Sequence, residues 1–138
     1  METLVKQAQQ EGIQHLQIAL LVEKNGKILL LEPISFGLPK AYTFVHKEVL
    51  SSQTLQQAIQ AASLQVLNLS VKQIKRFLTY KDSDPSTRVF YFIVEVFDPE
   101  DLKLSSHQSY GWVDPEESFG YPIQEQTREI LDLYCKTR

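Results

Sequence analysis

Apolar and polar positions along the 138-residue chain follow two periods, and the switches between them mark its elements. The β-type runs LQIALLV from Leu16 and KILLLE from Lys27 come first. Between them stands Glu23-Lys24-Asn25-Gly26, whose Asn-Gly pair accepts positive φ at both residues and predicts a tight hairpin. PISFGLPKA, with its prolines and glycine, predicts irregular chain, and YTFV from Tyr42 predicts a short strand. The period then changes. Leu55, Ile59, Ala62 and Val66 recur at helical spacing, with Thr54 or Ser52 as N-cap and Asn68 at the left-handed position that ends the helix. VKQIKRFLTY and RVFYFIVEVF predict a second hairpin across the turn KDSDPST. After a polar connection and SYGWV, Asp114-Pro115 offers an N-cap and a first-turn proline. QEQTREILDLYCK then closes the chain as a helix with Thr127, Ile130, Leu131 and Tyr134 inward. Leu4, Val5 and Ala8, stopped by Gly12, give residues 1–12 the face of an N-terminal helix or arm.

Length and composition narrow the class. One domain spanning 1–138 is the expectation, with 43% apolar and 22% charged residues, ordinary values for a globular chain. A net charge of -3 without a basic cluster argues against nucleic acid and against an anionic membrane surface as partners. No run approaches the roughly 18 apolar residues of a membrane span, and the N-terminus METLVKQAQQEG lacks the apolar core of a signal peptide. The lone Cys135 can form no internal disulfide, so a cytoplasmic protein is expected.

One feature stands apart from this ordinary background. From Val49 to Val71 the chain carries no Asp, Glu, Lys or Arg, although the segment SSQTLQQAIQAASLQVLNLS has a well-formed helical pattern. Glutamine fills positions where a solvent-facing helix normally carries charge.

The order of elements and the local sequence explain why this matters. YTFVHKEVLSSQTLQQAIQAASLQVLNL resembles, without a gap, the conserved region of the Nudix hydrolases typified by MutT: an aromatic-Thr-Phe strand, then Thr-Leu-x-x-Ala opening a helix. Tyr42, Thr43 and Phe44 fall on the first part and Thr54, Leu55 and Ala58 on the second. RVFYFIVEVF resembles the family's aromatic strand and GWVDPEE its Trp-Val-x-x-Glu-Glu segment. The resemblance implies a Nudix-type α/β/α sandwich with a mixed central sheet.

The same alignment predicts lost chemistry. At the family's signature positions stand Lys47 for the first glycine, Gln53 for a glutamate, Ala61 and Ala62 for Arg-Glu, Gln65 and Val66 for Glu-Glu, and Asn68 for the last glycine. In the family those glutamates hold magnesium or manganese for attack of water on a diphosphate. Hard cations favour carboxylates, an amide is a weaker neutral ligand, and alanine and valine offer no ligand at all. The expectation is therefore a Nudix-like protein without ordinary metal-dependent hydrolysis and without a metal cofactor. It would serve as a binding or regulatory module for a nucleotide-like molecule or a protein partner, including a second copy of the chain.

The alternative is a divergent hydrolase of nucleoside diphosphate derivatives that has relocated its magnesium or manganese ligands to Glu95, Glu48 and Asp82. Glu95 lies where some members carry an extra acid, but strand alternation accounts for it more simply as an outward residue. Glu48 beside His46 is a candidate base, and Asp82 has turn chemistry as sufficient explanation. Under the resemblance Phe36, Tyr42 and Phe44 are candidate ligand contacts, since Phe36 and Tyr42 flank the proline-rich loop at the mouth of the family's cleft.

Overall fold

The computed structural model describes residues 2–32, 41–105 and 109–138. Among these, helix α1 (Glu2–Gln10) precedes strands β1 (His15–Lys24), β2 (Lys27–Leu31) and β3 (Val45–Glu48), helix α2 (Leu55–Leu67), strands β4 (Val71–Asp84), β5 (Thr87–Val96) and β6 (Tyr110–Val113), and helix α3 (Glu125–Thr137). The six strands form one mixed sheet in the order β4-β5-β1-β2-β6, with β3 also paired to β1.

Both expected hairpins form. Asn25 and Gly26 turn the first with φ of 52° and 78°. In the second the strands run further into KDSDPST than the polar composition suggests, so that Asp84 pairs with Thr87 and the turn is reduced to Pro85 and Ser86. The Asp84 carboxylate accepts the Ser86 N–H at 2.8 Å, which closes that turn.

β1 is the hub of the sheet. β5 runs parallel to it from His15↔Thr87 to Val22↔Val94. On its other edge, residues Gln17 to Leu20 pair antiparallel with β3, while Glu23 and Lys24 pair with β2. This divided edge places β3 beside α2. The short strand itself lies later than predicted: Tyr42 and Thr43 make isolated bridges to Ile123 and Leu31, and regular pairing begins at Val45. Its residues His46, Lys47 and Glu48 are exposed, and a polar run of that kind carries no alternation from which a strand can be read.

Alternate residues of the central strands feed two cores. Ile18, Leu20, Phe90, Phe92 and Val94 face α2, meeting Leu55, Ile59, Ala62 and Leu67, with Ala8 of α1 joining them. Ala19, Leu21, Val89, Tyr91 and Ile93 face α3, meeting Ile130, Leu131 and Tyr134. The three-layer arrangement is the α/β/α sandwich expected. β5 lies between two strands with helices over both faces, which is why VFYFIV is apolar without interruption. Each fully buried Leu, Ile or Phe contributes on the order of 1.5–3 kcal/mol, so Leu55, Ile59 and Leu67 suffice to fix α2 on the sheet.

The ends of α2 follow their sequence cues. Thr54 and Gln57 form a reciprocal capping box: the Gln57 N–H donates to the Thr54 hydroxyl at 3.1 Å and the Thr54 N–H donates to the Gln57 amide oxygen at 2.9 Å. Asn68 ends the helix at φ 58°. At the C-terminal end of the chain, Asp114 caps a separate 3-10 turn, Pro115–Gly120, and α3 starts afterwards at Glu125. Its inward residues Thr127, Ile130, Leu131 and Tyr134 are those expected. No helix among the described residues is long and apolar enough to cross a membrane.

Candidate functional site

β3 and the first turns of α2 enclose a cleft of about 420 Å³, lined by His46, Lys47, Glu48, Leu50, Gln53, Ala58, Ala61 and Gln65. Its geometry follows from two periodicities. Positions 58, 61 and 65 recur at helical spacing and present one stripe of α2 to the cleft. Strand alternation sends Val45 and Lys47 to the α2 side of β3 and His46 and Glu48 to the other. Val45 accordingly packs in the α2-side core, and the His46 ring lies edge-on to Tyr91, 6.4 Å between centroids, on the α3 side.

Of the residues singled out from the sequence, Lys47, Gln53, Ala61 and Gln65 come together on the α2 side, and Glu48 borders the same cleft from the other face of β3. Ala62 and Val66 do not line the cleft. Ala62 is wholly buried under α2, and Val66 is half-buried against the same core. Glu95 is half-buried near the end of β5, and by alternation it shares the α3-side face with Tyr91 and Ile93. Its carboxylate acts electrostatically on Lys75 of β4. Asp82 is engaged at the far end of the β4–β5 hairpin, where Arg88 holds it with two hydrogen bonds. Glu48, Asp82 and Glu95 thus do not converge, and no group of three or more His, Cys, Asp or Glu residues fit for a metal ion occurs among the described residues.

The candidate aromatic contacts also separate. Phe44 is 1% exposed and packs edge-on to Tyr91, so its ring belongs to the core and offers no surface to a ligand. Tyr42 is half-buried at the other end of the sheet, with its hydroxyl donating to Glu32 and its ring edge-on to Tyr121. Phe36 lies outside the described residues.

Hydrogen bonding defines what the cleft can offer. The Gln53 amide oxygen accepts the Leu50 N–H at 3.1 Å, leaving its NH2 end as a donor. The imidazole of His46 places Nδ1 3.1 Å from the Phe44 carbonyl. A carbonyl only accepts, so Nδ1 carries the proton and Nε2 keeps its lone pair. Protein on the closed side of the ring desolvates it and lowers the His46 pKa, a trend the Phe44 carbonyl partly opposes; the ring is neutral at pH 7 even though solvent reaches it. Glu48 approaches His15 at 3.9 Å. Lys47 makes no ion pair with any described residue.

Magnesium fits this donor set poorly. A hard divalent ion takes several oxygen ligands, carboxylates foremost, and here one carboxylate stands with one imidazole, a lysine, two amides and apolar side chains.

The sequence singled out Lys47, Gln53, Ala61 and Gln65 only by alignment to the resemblance. Leu50 and Ala58 as cleft-lining residues were missed, although the 58/61/65 stripe is visible in the helical period. Two further glutamines of α2 have structural tasks. Gln57 completes the cap, and Gln60 reaches across to β4, where its amide pairs with both the N–H and the C=O of Val71.

A mixed sheet between helix layers, with a loop-and-helix cleft at the edge of one strand, places the chain in a known structural class. Solved structures superpose on it over most of their length: a Nudix hydrolase from Nitrosomonas europaea (TM-score 0.76, 17% identity, 91% of this chain and 72% of that one), and a MutT structure from work on the Aliivibrio salmonicida and Vibrio cholerae proteins (0.75, 15%, 88% and 98%). The Escherichia coli ORF135 protein matches as well (0.73, 19%, 90% of each chain). The chain has the Nudix fold. No protein-family model matches the sequence and no curated protein does, so the likeness is one of fold.

Proposed function

We propose that the protein is a Nudix-fold binding or regulatory module for a nucleotide-like ligand or a protein partner, without ordinary magnesium-dependent diphosphate hydrolysis. The observation that carries this reading is the lining of the cleft. The signature positions of the helix and strand gather there as Lys47, Gln53, Ala61 and Gln65, where a hydrolase of this fold would need several carboxylates around a divalent ion. A cluster of carboxylates repels itself when no metal is bound, so neutral residues are favoured once hydrolysis is no longer selected. The cleft volume, about 420 Å³, falls within the roughly 300–1,000 Å³ typical of small-molecule sites.

A thermal-shift screen against nucleoside diphosphates and dinucleotides, run with EDTA and again with magnesium or manganese, tests the reading. A ligand of the native state at about a hundred times its Kd adds about 2.7 kcal/mol of stability, an easily measured rise in Tm. The expected result is stabilisation by at least one compound without metal, and no product formed on prolonged incubation with metal. Metal-dependent hydrolysis that disappears in Glu48→Gln, or a crystal soaked with manganese showing an ion held by two or more carboxylates, would establish the divergent hydrolase instead.

A further inference from the structure

We propose that Lys47 replaces the divalent ion as the anchor of the cleft, so that the site binds an oxyanion, a phosphate or carboxylate group of a small ligand, directly and without metal. The inference rests on the binding-module reading above and specifies the charge and the anchoring residue. Three observations lead to it. First, Lys47 projects from β3 to the α2 side, onto the same cleft as Ala58, Ala61 and Gln65, and no ion pair with a described residue neutralises it. Second, amide groups able to donate stand beside it. The Gln53 oxygen is already occupied by the Leu50 N–H, so its NH2 remains as a donor, and Gln65 adds a second neutral amide. Third, the one carboxylate in the lining, Glu48, points by alternation to the opposite face of the strand, where His15 lies 3.9 Å away.

An ammonium is a compact point charge on a flexible stem, suited to an oxyanion whose position is set by the rest of the ligand. The Ala58 and Ala61 methyls keep the wall low and apolar, leaving room for the group where longer side chains would fill the cleft. This arrangement reverses the effect of magnesium. In a site built on carboxylates the ion bridges protein and diphosphate and strengthens binding. Here a chelated magnesium has at most the single Glu48 carboxylate to meet, and it lowers the negative charge that Lys47 would attract, so it weakens binding.

The test is isothermal titration of the full chain with inorganic pyrophosphate, and separately with succinate, in EDTA. The expected result is binding of at least one of the two, weakened by added magnesium and by salt. Lys47→Ala should lose about tenfold or more in affinity, the range of a hydrogen bond to a charged group, while Lys47→Arg retains binding. Lys6→Ala is the control, since Lys6 lines a neighbouring cavity between α1 and the start of α2 but not this cleft. Pyrophosphate against succinate decides which oxyanion is read. Absence of binding to either, equal binding by Lys47→Ala, or binding strengthened by magnesium would overturn the inference. Unchanged affinity in Lys47→Ala refutes the anchor alone, whereas turnover of pyrophosphate with magnesium refutes the binding-module reading as well.

Discussion

Replacing Asp82 by alanine should harm this protein more than replacing its partner Arg88 by leucine, and the difference can be worked out from the geometry. Arg88 is 2% exposed at the start of β5. Its Nε and Nη2 donate to the two Asp82 carboxylate oxygens at 2.6 and 3.1 Å, its Nη1 donates to Glu11 at 3.0 Å, and the face of Tyr80 lies 4.1 Å from the guanidinium carbon. The two carboxylates are themselves close to half exposed, so the cation is covered by a layer one side chain thick. Asp82→Ala leaves that covered cation with one carboxylate and two unmatched N–H donors. Breaking a buried pair from one side costs about 3–5 kcal/mol, and the thin cover points to the lower end, about 3 kcal/mol. Arg88→Leu removes the cation altogether; both carboxylates rehydrate and leucine keeps the contact with Tyr80, so the loss is about 1–2 kcal/mol. For a chain of this length those figures correspond to falls in Tm of about 10 °C and about 5 °C. Urea denaturation followed by circular dichroism measures both. A loss in Arg88→Leu equal to or larger than that in Asp82→Ala would refute the reasoning. The pH dependence adds a check. The hydrogen bonds from Arg88 hold the Asp82 carboxyl below its ordinary range. A depressed folded pKa contributes stability above the unfolded value, about 4, and loses it as pH falls further. The gap between wild type and Asp82→Ala should therefore narrow in acid.

Further outcomes follow from the same structure. Thr54→Ala removes the acceptor for the Gln57 N–H and should cost about 1 kcal/mol in urea denaturation, with Ser51→Ala close to neutral. Gln60→Leu leaves the Val71 N–H and C=O without their side-chain partner and should cost about 1–2 kcal/mol by the same measurement, against little for the exposed Gln56→Ala. Burial pushes Tyr91 up to about 12, and burial with the neighbouring Glu23 carboxylate does the same for Tyr134. Their contribution to stability is complete below pH 10 and is lost as the pH rises toward 12, because the unfolded chain ionises first. Tyrosinate absorbance should show these two titrating late, and Tyr134→Phe should remove one late component.

Much of the architecture is legible in the chain because it is written in local chemistry. Asn25-Gly26 permits one kind of turn, Thr54 with Gln57 one kind of helix start, and Asn68 one kind of helix end, each for reasons internal to a few residues. β3 was misplaced by three residues because His46, Lys47 and Glu48 owe their strand conformation to the edge of β1, a partner distant in sequence. Phe44 looked like a ligand contact for the same reason: an aromatic beside an irregular loop suits a pocket or a core equally, and only the position of Tyr91 decides it. Asp114-Pro115 has the chemistry of a helix start, but it opens a short 3-10 turn and α3 begins at Glu125.

The charge-free stretch from Val49 to Val71 divides along the same line. The sequence by itself determined the helix, its caps, its inward face and the absence of carboxylates along it, since residue type and spacing fix all of these. The tertiary structure decided what the neutral residues do. Gln57 and Gln60 satisfy backbone groups at the cap and on β4, Gln53 binds the loop before the helix, and Ala62 disappears into the core. It also placed Lys47 opposite Ala61 and Gln65. That juxtaposition joins a strand to a helix through the pairing of β3 with β1, and a contact made by long-range pairing leaves no period in the sequence to read.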